Sequence, residues 1–159
     1  MKINVKDNFL DSILIDVLYQ ELLYNHPHWW GHSSTPKGTS FYAADMRSED
    51  VIPQYIFKKI KNQILNTPVE LIRCYFNLQH QSMDGEFHDD DGDITSLLML
   101  TPTPSLGGEF EYFDNNQIVQ KIDYKQNRLI TFDAKIIHRG LSYKINSPRI
   151  TLAFKLRKL

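Results

Sequence analysis

The densest concentration of chemistry in the sequence is Gly85-Glu86-Phe87-His88-Asp89-Asp90-Asp91-Gly92-Asp93. His88 and Asp90 are two positions apart. On extended backbone, residues i and i+2 point the same way, so an imidazole nitrogen and a carboxylate oxygen can reach one metal ion. A second histidine, His138, follows the run Arg128-Leu129-Ile130-Thr131-Phe132, which reads as a strand. Two histidines and one carboxylate on one face of a metal form the facial triad of non-haem iron sites, which leaves coordination positions open. His-x-Asp alone is a weak signal. Joined to a distal histidine at the end of a strand, it predicts that His88, Asp90 and His138 bind a metal and carry its chemistry.

A cation belongs to the same constellation. Near the end of the sequence Ile150, Leu152, Phe154 and Leu156 make one apolar face of a strand, so Arg149 and Thr151 share the other. A cation aimed into a barrel beside a metal needs an anion, because a buried unpaired charge is very costly. A dicarboxylate cosubstrate supplies one, and the planar guanidinium fork matches a carboxylate through two hydrogen bonds. By the same alternation Arg73, Tyr75 and Asn77 share a strand face. If that face is the interior, they lie near the metal and can reach the cosubstrate's other carboxylate or the substrate. Cys74 then faces away, into packing.

Other groupings read differently. Asp89, Asp91 and Asp93 alternate as in a calcium loop, but that loop needs glycine at its sixth place and glutamate at its twelfth. Counted from Asp89, those places hold Ile94 and Leu100. His26, His28 and His32 read as a solvated loop group. Trp29 and Trp30 read as packing residues under that loop, with a substrate wall or lid as the functional alternative.

The elements that must position these groups follow from periodicity. Asp7 to Tyr24 predicts an amphipathic helix, with Phe9, Leu10, Ile13, Leu14, Val17, Leu18 and Leu22 at three- and four-residue steps and Asp7 or Asn8 as N-cap. His26-Pro27 ends it. His26 to Asp45 shows no periodicity and reads as a long loop. Ser48 to Leu65 predicts a second helix, with Pro53 tolerated near its first turn. After Pro68 the period changes to two. Strands are predicted from Val69, over Ile94 to Leu100, Glu109 to Phe113, Ile118 to Ile122, Arg128 to Phe132 and Arg149 to Leu156, with turns at Asp84-Gly85, Gly107-Gly108, Asn115-Asn116 and Gln126-Asn127. Helices followed by many short strands suggest a β-sandwich or barrel with flanking helices.

Composition narrows the setting. The chain has 159 residues, 42% of them hydrophobic and 12% aromatic, with a net charge of −1. Disorder is excluded, since it needs few aromatics and high net charge. The neutral balance makes nucleic acid an unlikely partner, because phosphate binding draws on Lys and Arg. The best place for a local basic stripe is Lys155, Arg157 and Lys158. Cys74 is the only cysteine, so no intramolecular disulfide forms and a reducing, cytoplasmic setting is expected. No run of about 18 apolar residues or signal-peptide core occurs, so no membrane association is expected. One domain over 1–159 is expected, with residues 1–66 as helical support and loop and 67–159 as the β core. The sequence leaves oligomeric state open.

The stretch from Leu71 to Lys155 resembles the 2-oxoglutarate- and Fe(II)-dependent dioxygenase superfamily, in its prolyl-4-hydroxylase-like branch with small bacterial and phage-type members. Arg73-Cys74-Tyr75-Phe76-Asn77 resembles the strand before the metal motif, and Gly85-Glu86-Phe87-His88-Asp89-Asp90 the motif itself. Leu106-Gly107-Gly108-Glu109-Phe110 resembles the family's Gly-Gly-Glu turn and strand. Asn127 to Lys155 resembles the closing segment, with His138 and then Arg149-x-Thr151. One departure stands out: where many relatives carry a tyrosine after the metal motif, this chain reads Leu97-Leu98-Met99-Leu100. The resemblance implies a double-stranded β-helix (jelly roll), mostly β, with the two N-terminal helices packed on one sheet. It implies Fe(II) on His88, Asp90 and His138, 2-oxoglutarate on Arg149 and Thr151, with Tyr75 and Asn77 nearby, O2 as oxidant and ascorbate as reductant. Decarboxylation of 2-oxoglutarate to succinate and CO2 would be coupled to hydroxylation, with a prolyl or other side chain of a protein or peptide as first expectation. The alternatives are a free amino acid or small metabolite, a nucleic-acid base, or a non-catalytic jelly roll that only binds a ligand.

Overall fold

The computed structural model describes residues 3–104 and 106–159. Their elements run β1 (Asn4–Lys6), α1 (Ser12–Gln20), β2 (Trp29–His32), β3 (Phe41–Met46), α2 (Val51–Gln63), β4 (Val69–Gln79), β5 (Ile94–Met99), β6 (Phe110–Phe113), β7 (Val119–Ile122), β8 (Leu129–Asp133), β9 (His138–Gly140) and β10 (Arg149–Lys158). A seven-stranded sheet has the order β1-β8-β5-β10-β4-β3-β2, and a three-stranded sheet the order β7-β6-β9. Both are antiparallel. The mostly β jelly roll with two helices on one sheet is as expected.

The large sheet is covered on both faces. Cys74, Phe76, Leu78, Ile150, Leu152 and Phe154 point outward and pack with Ile15, Leu18 and Leu22 of the α1 region and Ile56, Phe57 and Ile60 of α2. Burying one such side chain fully contributes about 1.5–3 kcal/mol, so the helices hold β4 and β10 as a firm platform. Inward, Met99, Ile130 and Phe132 meet Phe110 of the small sheet. The remaining inward positions of β4 and β10, polar apart from Ala153, line a cup between the sheets.

Three expectations need correction. First, α1 begins at Ser12, because Asp11 is the N-cap and its carboxylate accepts from the Ile13 N–H at 2.9 Å. Asn8 has a positive φ of 53°, and Asp7 is committed to Arg128 and Lys125. Ile13 and Val17 consequently face solvent. The helix does stop at His26-Pro27, through a π-helical turn over Glu21–Asn25.

Second, the irregular stretch from His26 to Asp45 holds two strands. β2 is bulged between Trp30 and His32, at Gly31 with φ 108°, which breaks the two-residue period. β3 is nearly continuous in apolar residues because Phe41 and Ala43 face the cup side while Tyr42 and Ala44 face the helices. Trp29 and Trp30, expected to pack, are 59% and 56% exposed on this edge strand.

Third, Lys155 is buried rather than part of a surface stripe, since β10 runs through the middle of the sheet. The short strands β1 and β9 escaped periodicity because three residues are too few to show one.

Candidate active site

The backbone sets the spacing of the three candidate ligands. His88 and His138 form an antiparallel bridge: the His88 N–H donates to the His138 carbonyl at 3.0 Å, and the reverse bond measures 2.9 Å. Asp90 is anchored next to it, its N–H donating to the Ala134 carbonyl at 2.8 Å. Lys135 donates to the Asp90 carbonyl at 2.8 Å. Both imidazoles are turned by their own chain. His88 Nδ1 lies 2.8 Å from the Glu86 carbonyl and His138 Nδ1 2.9 Å from the Ile136 carbonyl. A carbonyl only accepts, so each Nδ1 carries the hydrogen, which leaves Nε2 as the nitrogen that can ligate.

The two Nε2 atoms converge on Asp90. His88 Nε2 is 3.6 Å from Asp90 Oδ1 and His138 Nε2 3.5 Å from Oδ2. All three ligand atoms lie within 4.8 Å of one another. No other group of three such side chains meets that test among the described residues. Phe132 packs edge-on to the His138 ring and Phe110 stacks on it, at centroid distances of 4.7 and 5.3 Å.

Electrostatics favour a cation here. Burial pushes His138 down to about 4, against the pull of Asp90, so it is neutral near pH 7 and free to ligate. Burial alone would raise the Asp90 carboxyl, but the Lys155 charge, with hydrogen bonds from Lys155 and Thr95, holds it below the usual value. Two imidazoles, that of His138 neutral, and an ionised carboxylate form a donor set that fits Fe(II).

Arg149 closes the other end of the cup. It is 2% exposed. Its Nη1 donates to Gln79 Oε1 at 2.6 Å and its Nε to the Gly108 carbonyl at 3.2 Å. Its Nη2 is buried without a hydrogen-bond partner, and the residue makes no salt bridge among the described residues. The guanidinium lies over the Tyr124 ring at 5.3 Å, and the Tyr124 hydroxyl donates elsewhere, to the Ile150 carbonyl. A buried guanidinium with a free donor is built to receive an anion. Gly140 makes room for it: a Cβ there would stand 2.9 Å from Nη2.

The cup between these ends holds about 220 Å³. Thr151, Tyr75 and Asn77 line it, as the strand alternation predicts, and Asn77 Oδ1 is a second buried atom without a partner. Arg73 is at the rim, paired with Asp91 at 3.2 Å. The cup adjoins a side pocket of about 120 Å³ lined by Trp29, His32, Asp45, Arg73 and Tyr75. The histidine loop group is thus divided. His32 joins the cup wall, while His26 and His28 pack edge-on to Phe76 and Tyr42 on the opposite face of the sheet.

No protein-family model and no curated protein matches the sequence. Solved structures do match. The viral collagen prolyl hydroxylase of Paramecium bursaria Chlorella virus 1, in its 2-oxoglutarate complex, superposes with a TM-score of 0.76 at 18% identity, covering 100% of this chain and 97% of that one. A Pseudomonas putida prolyl-4-hydroxylase gives 0.75 at 15% identity, covering 98% and 92%. A Trichoplax adhaerens prolyl hydroxylase, solved with a hypoxia-inducible-factor peptide fragment, gives 0.73 at 17%, covering 99% and 83%. The chain has the 2-oxoglutarate–Fe(II) oxygenase fold. In that oxygenase fold the two sheets pinch the cup, with the His88–Asp90–His138 group at one end and Arg149 at the other.

Four residues of the cup were not read as site residues from sequence. Thr95 donates to Asp90 Oδ2 at 2.7 Å, Gln79 orients Arg149, Gly140 gives it space, and Lys155 contacts Asp90. The signal for Lys155 was present: it shares the parity of Arg149 and Thr151 on β10. Gln79 shares the parity of Tyr75 and Asn77 on β4. Thr95 and Gly140 carry no such mark, because their roles depend on strands brought together from afar.

Proposed function

We propose that this chain is an Fe(II)- and 2-oxoglutarate-dependent oxygenase that hydroxylates a side chain of a protein or peptide, with residues 1–159 acting as one catalytic unit. The observation that carries it is the pairing, within one cup, of a convergent His88–Asp90–His138 group with a buried guanidinium that lacks an anion. Iron held by His88, Asp90 and His138 would supply O2 activation and a chelating point for the keto acid. The chain's own residues do the rest. Arg149, held by Gln79, binds the far carboxylate, with Thr151 beside it, and this is positioning catalysis. Tyr75 and Asn77 offer a hydroxyl and an amide for the near carboxylate or the substrate. Phe110, Phe132 and Leu97 line the cup with apolar surface that excludes water.

Three observations support a peptide-like substrate. The fold neighbours include prolyl hydroxylases, one solved with a peptide. The side pocket leads from the cup to the edge strand β2, so an extended chain has a track along Tyr75 and Trp29. The exposed carboxylates Asp89 and Asp91 line the cup and Asp45 the side pocket, and the nearby cations Arg73 and Lys135 are already paired with Asp91 and Asp89, which speaks against a phosphodiester substrate. No helix among the described residues is long and apolar enough to cross a membrane. The unpaired, buried thiol of Cys74 suits a reducing, cytoplasmic setting.

The test is succinate release from 2-oxoglutarate by the iron-loaded protein in air, with ascorbate, across a panel of proline-containing peptides. The reading requires at least one peptide to stimulate succinate release and to gain one oxygen by mass, in wild type and not in Asp90→Ala. Stimulation only by small metabolites would move the substrate to that class.

A further inference from the structure

The iron reading above leaves one buried charge without a role. Lys155 points inward from β10 and is 2% exposed. Its ammonium contacts the Asp90 carboxylate, lies 3.3 Å from Thr95 Oγ1 and sits over the Tyr75 ring at 5.6 Å. Thr95 donates to the same Asp90 oxygen, Oδ2, while Oδ1 faces His88 Nε2. Oδ2 is thus held by two protein donors beside His138 Nε2, and Oδ1 is turned toward His88. The other cations near the mouth differ: Arg73 and Lys135 are solvent-exposed and paired with Asp91 and Asp89. Arg149 stands at the opposite end of the inward row of β10.

We infer that Lys155 is a positioning residue that sets the oxidation-state preference of the iron, favouring Fe(II) over Fe(III) through Asp90. The reasoning is electrostatic. A fixed positive charge in a low-dielectric cup repels a trivalent ion more than a divalent one. It also draws electron density from the carboxylate, making it a poorer donor to the harder ion. The comparison between the two ions is independent of the metal-free state, which is common to both. The consequence bears on survival of the resting enzyme. Without substrate, Fe(II) can lose one electron to O2, giving Fe(III) and superoxide, and Fe(III) cannot start the reaction. A buried ammonium next to a metal-ligating carboxylate opposes that loss.

The inference rests on iron binding at His88, Asp90 and His138, and the test separates the two. The iron-loaded full chain is titrated anaerobically with redox mediators, following the high-spin Fe(III) resonance, for wild type, Lys155→Met, Lys155→Gln, Lys155→Arg and Thr95→Val. The neutral variants should favour Fe(III) at least tenfold more than wild type, a midpoint lower by about 59 mV per tenfold for one electron. Lys155→Arg and Thr95→Val should stay within about threefold of wild type, since both keep the charge. Neutral variants within threefold of wild type would overturn the inference. So would an equal shift in Thr95→Val, which would assign the effect to a lost hydrogen bond. Neutral variants that hold no iron, or do not fold, would make Lys155 an organiser of Asp90 instead and also overturn it. Failure of the wild type to hold iron would sink the reading beneath it.

Discussion

His88 and His138 are bonded to each other through their main chains, each N–H donating to the other's carbonyl, at 3.0 and 2.9 Å. The distance between the two imidazoles is therefore set by backbone, and both Nδ1 atoms are tied to carbonyls of their own segments. Side chains can be removed without dissolving the bridge. His88, the more exposed of the pair, is the cleanest place to show it. His88→Ala is expected to melt within a few degrees of wild type, because the substitution removes little buried contact. Its affinity for Co(II) or Mn(II) should fall by more than the 10–100-fold typical of losing an outer partner. Calorimetric melting and metal titration of the two proteins check both halves.

Arg149 offers a fork to an anion, with Nη2 free. Lysine keeps the charge and loses the fork. Arg149→Lys should raise the 2-oxoglutarate concentration for half-maximal succinate release roughly 10–100-fold, from about 1.5–3 kcal/mol per lost charged hydrogen bond. Metal affinity should hardly change, since Arg149 makes no contact with the triad. An unchanged 2-oxoglutarate requirement would remove Arg149 from the cosubstrate site.

Gly140 follows His138 and Arg139 in β9 and lies against the guanidinium. A methyl group there would press on Nη2 and Nη1, at 2.9 and 3.1 Å. The Gly140 carbonyl also accepts from Gly85 N at 2.9 Å, so the backbone cannot easily retreat. Gly140→Ala should therefore weaken 2-oxoglutarate binding about tenfold or more while leaving iron binding intact. Equilibrium titration of the anaerobic iron-loaded variant reads this directly.

Asp7 links the N-terminal segment to the sheet. Hydrogen bonds from Arg128, then Lys125, hold its carboxyl well below the ordinary range. A folded-state value below the unfolded value near ~3.9 means the stabilisation is complete above that pH. It fades as pH falls through ~3.9 toward the folded value. Asp7→Asn should cost about 1 kcal/mol at pH 7, given a partly exposed pair. The gap in melting temperature between variant and wild type should close on acidification. A gap constant down to pH 3 would contradict the ion-pair account.

The parts legible in the sequence were those governed by short periods. His88 and Asp90 on extended backbone, Tyr75 and Asn77 on one strand face, and Arg149 with Thr151 opposite an apolar row all follow from alternation alone. Their joining to His138 drew on the order of elements and the family resemblance. The misreadings have equally local causes. β2 was hidden by the bulge at Gly31 and β3 by its burial on both faces. The start of α1 moved because Asp11 caps it while Asp7 is used elsewhere. Lys155 followed the alternation of β10, but grouping it with Arg157 and Lys158 as terminal charges obscured that parity. Gly140 and Thr95 matter through pairings distant in sequence, which alternation does not report.

The most direct test of the central claim is the visible spectrum of the anaerobic protein with Fe(II) as 2-oxoglutarate is titrated in. Chelation of Fe(II) by the keto acid gives a weak metal-to-ligand charge-transfer band. The account requires that band in wild type, its loss in His138→Ala, and its appearance only at higher 2-oxoglutarate in Arg149→Lys. Iron bound without any band at saturating 2-oxoglutarate would contradict it, leaving the jelly roll in place and Arg149 to a different anion.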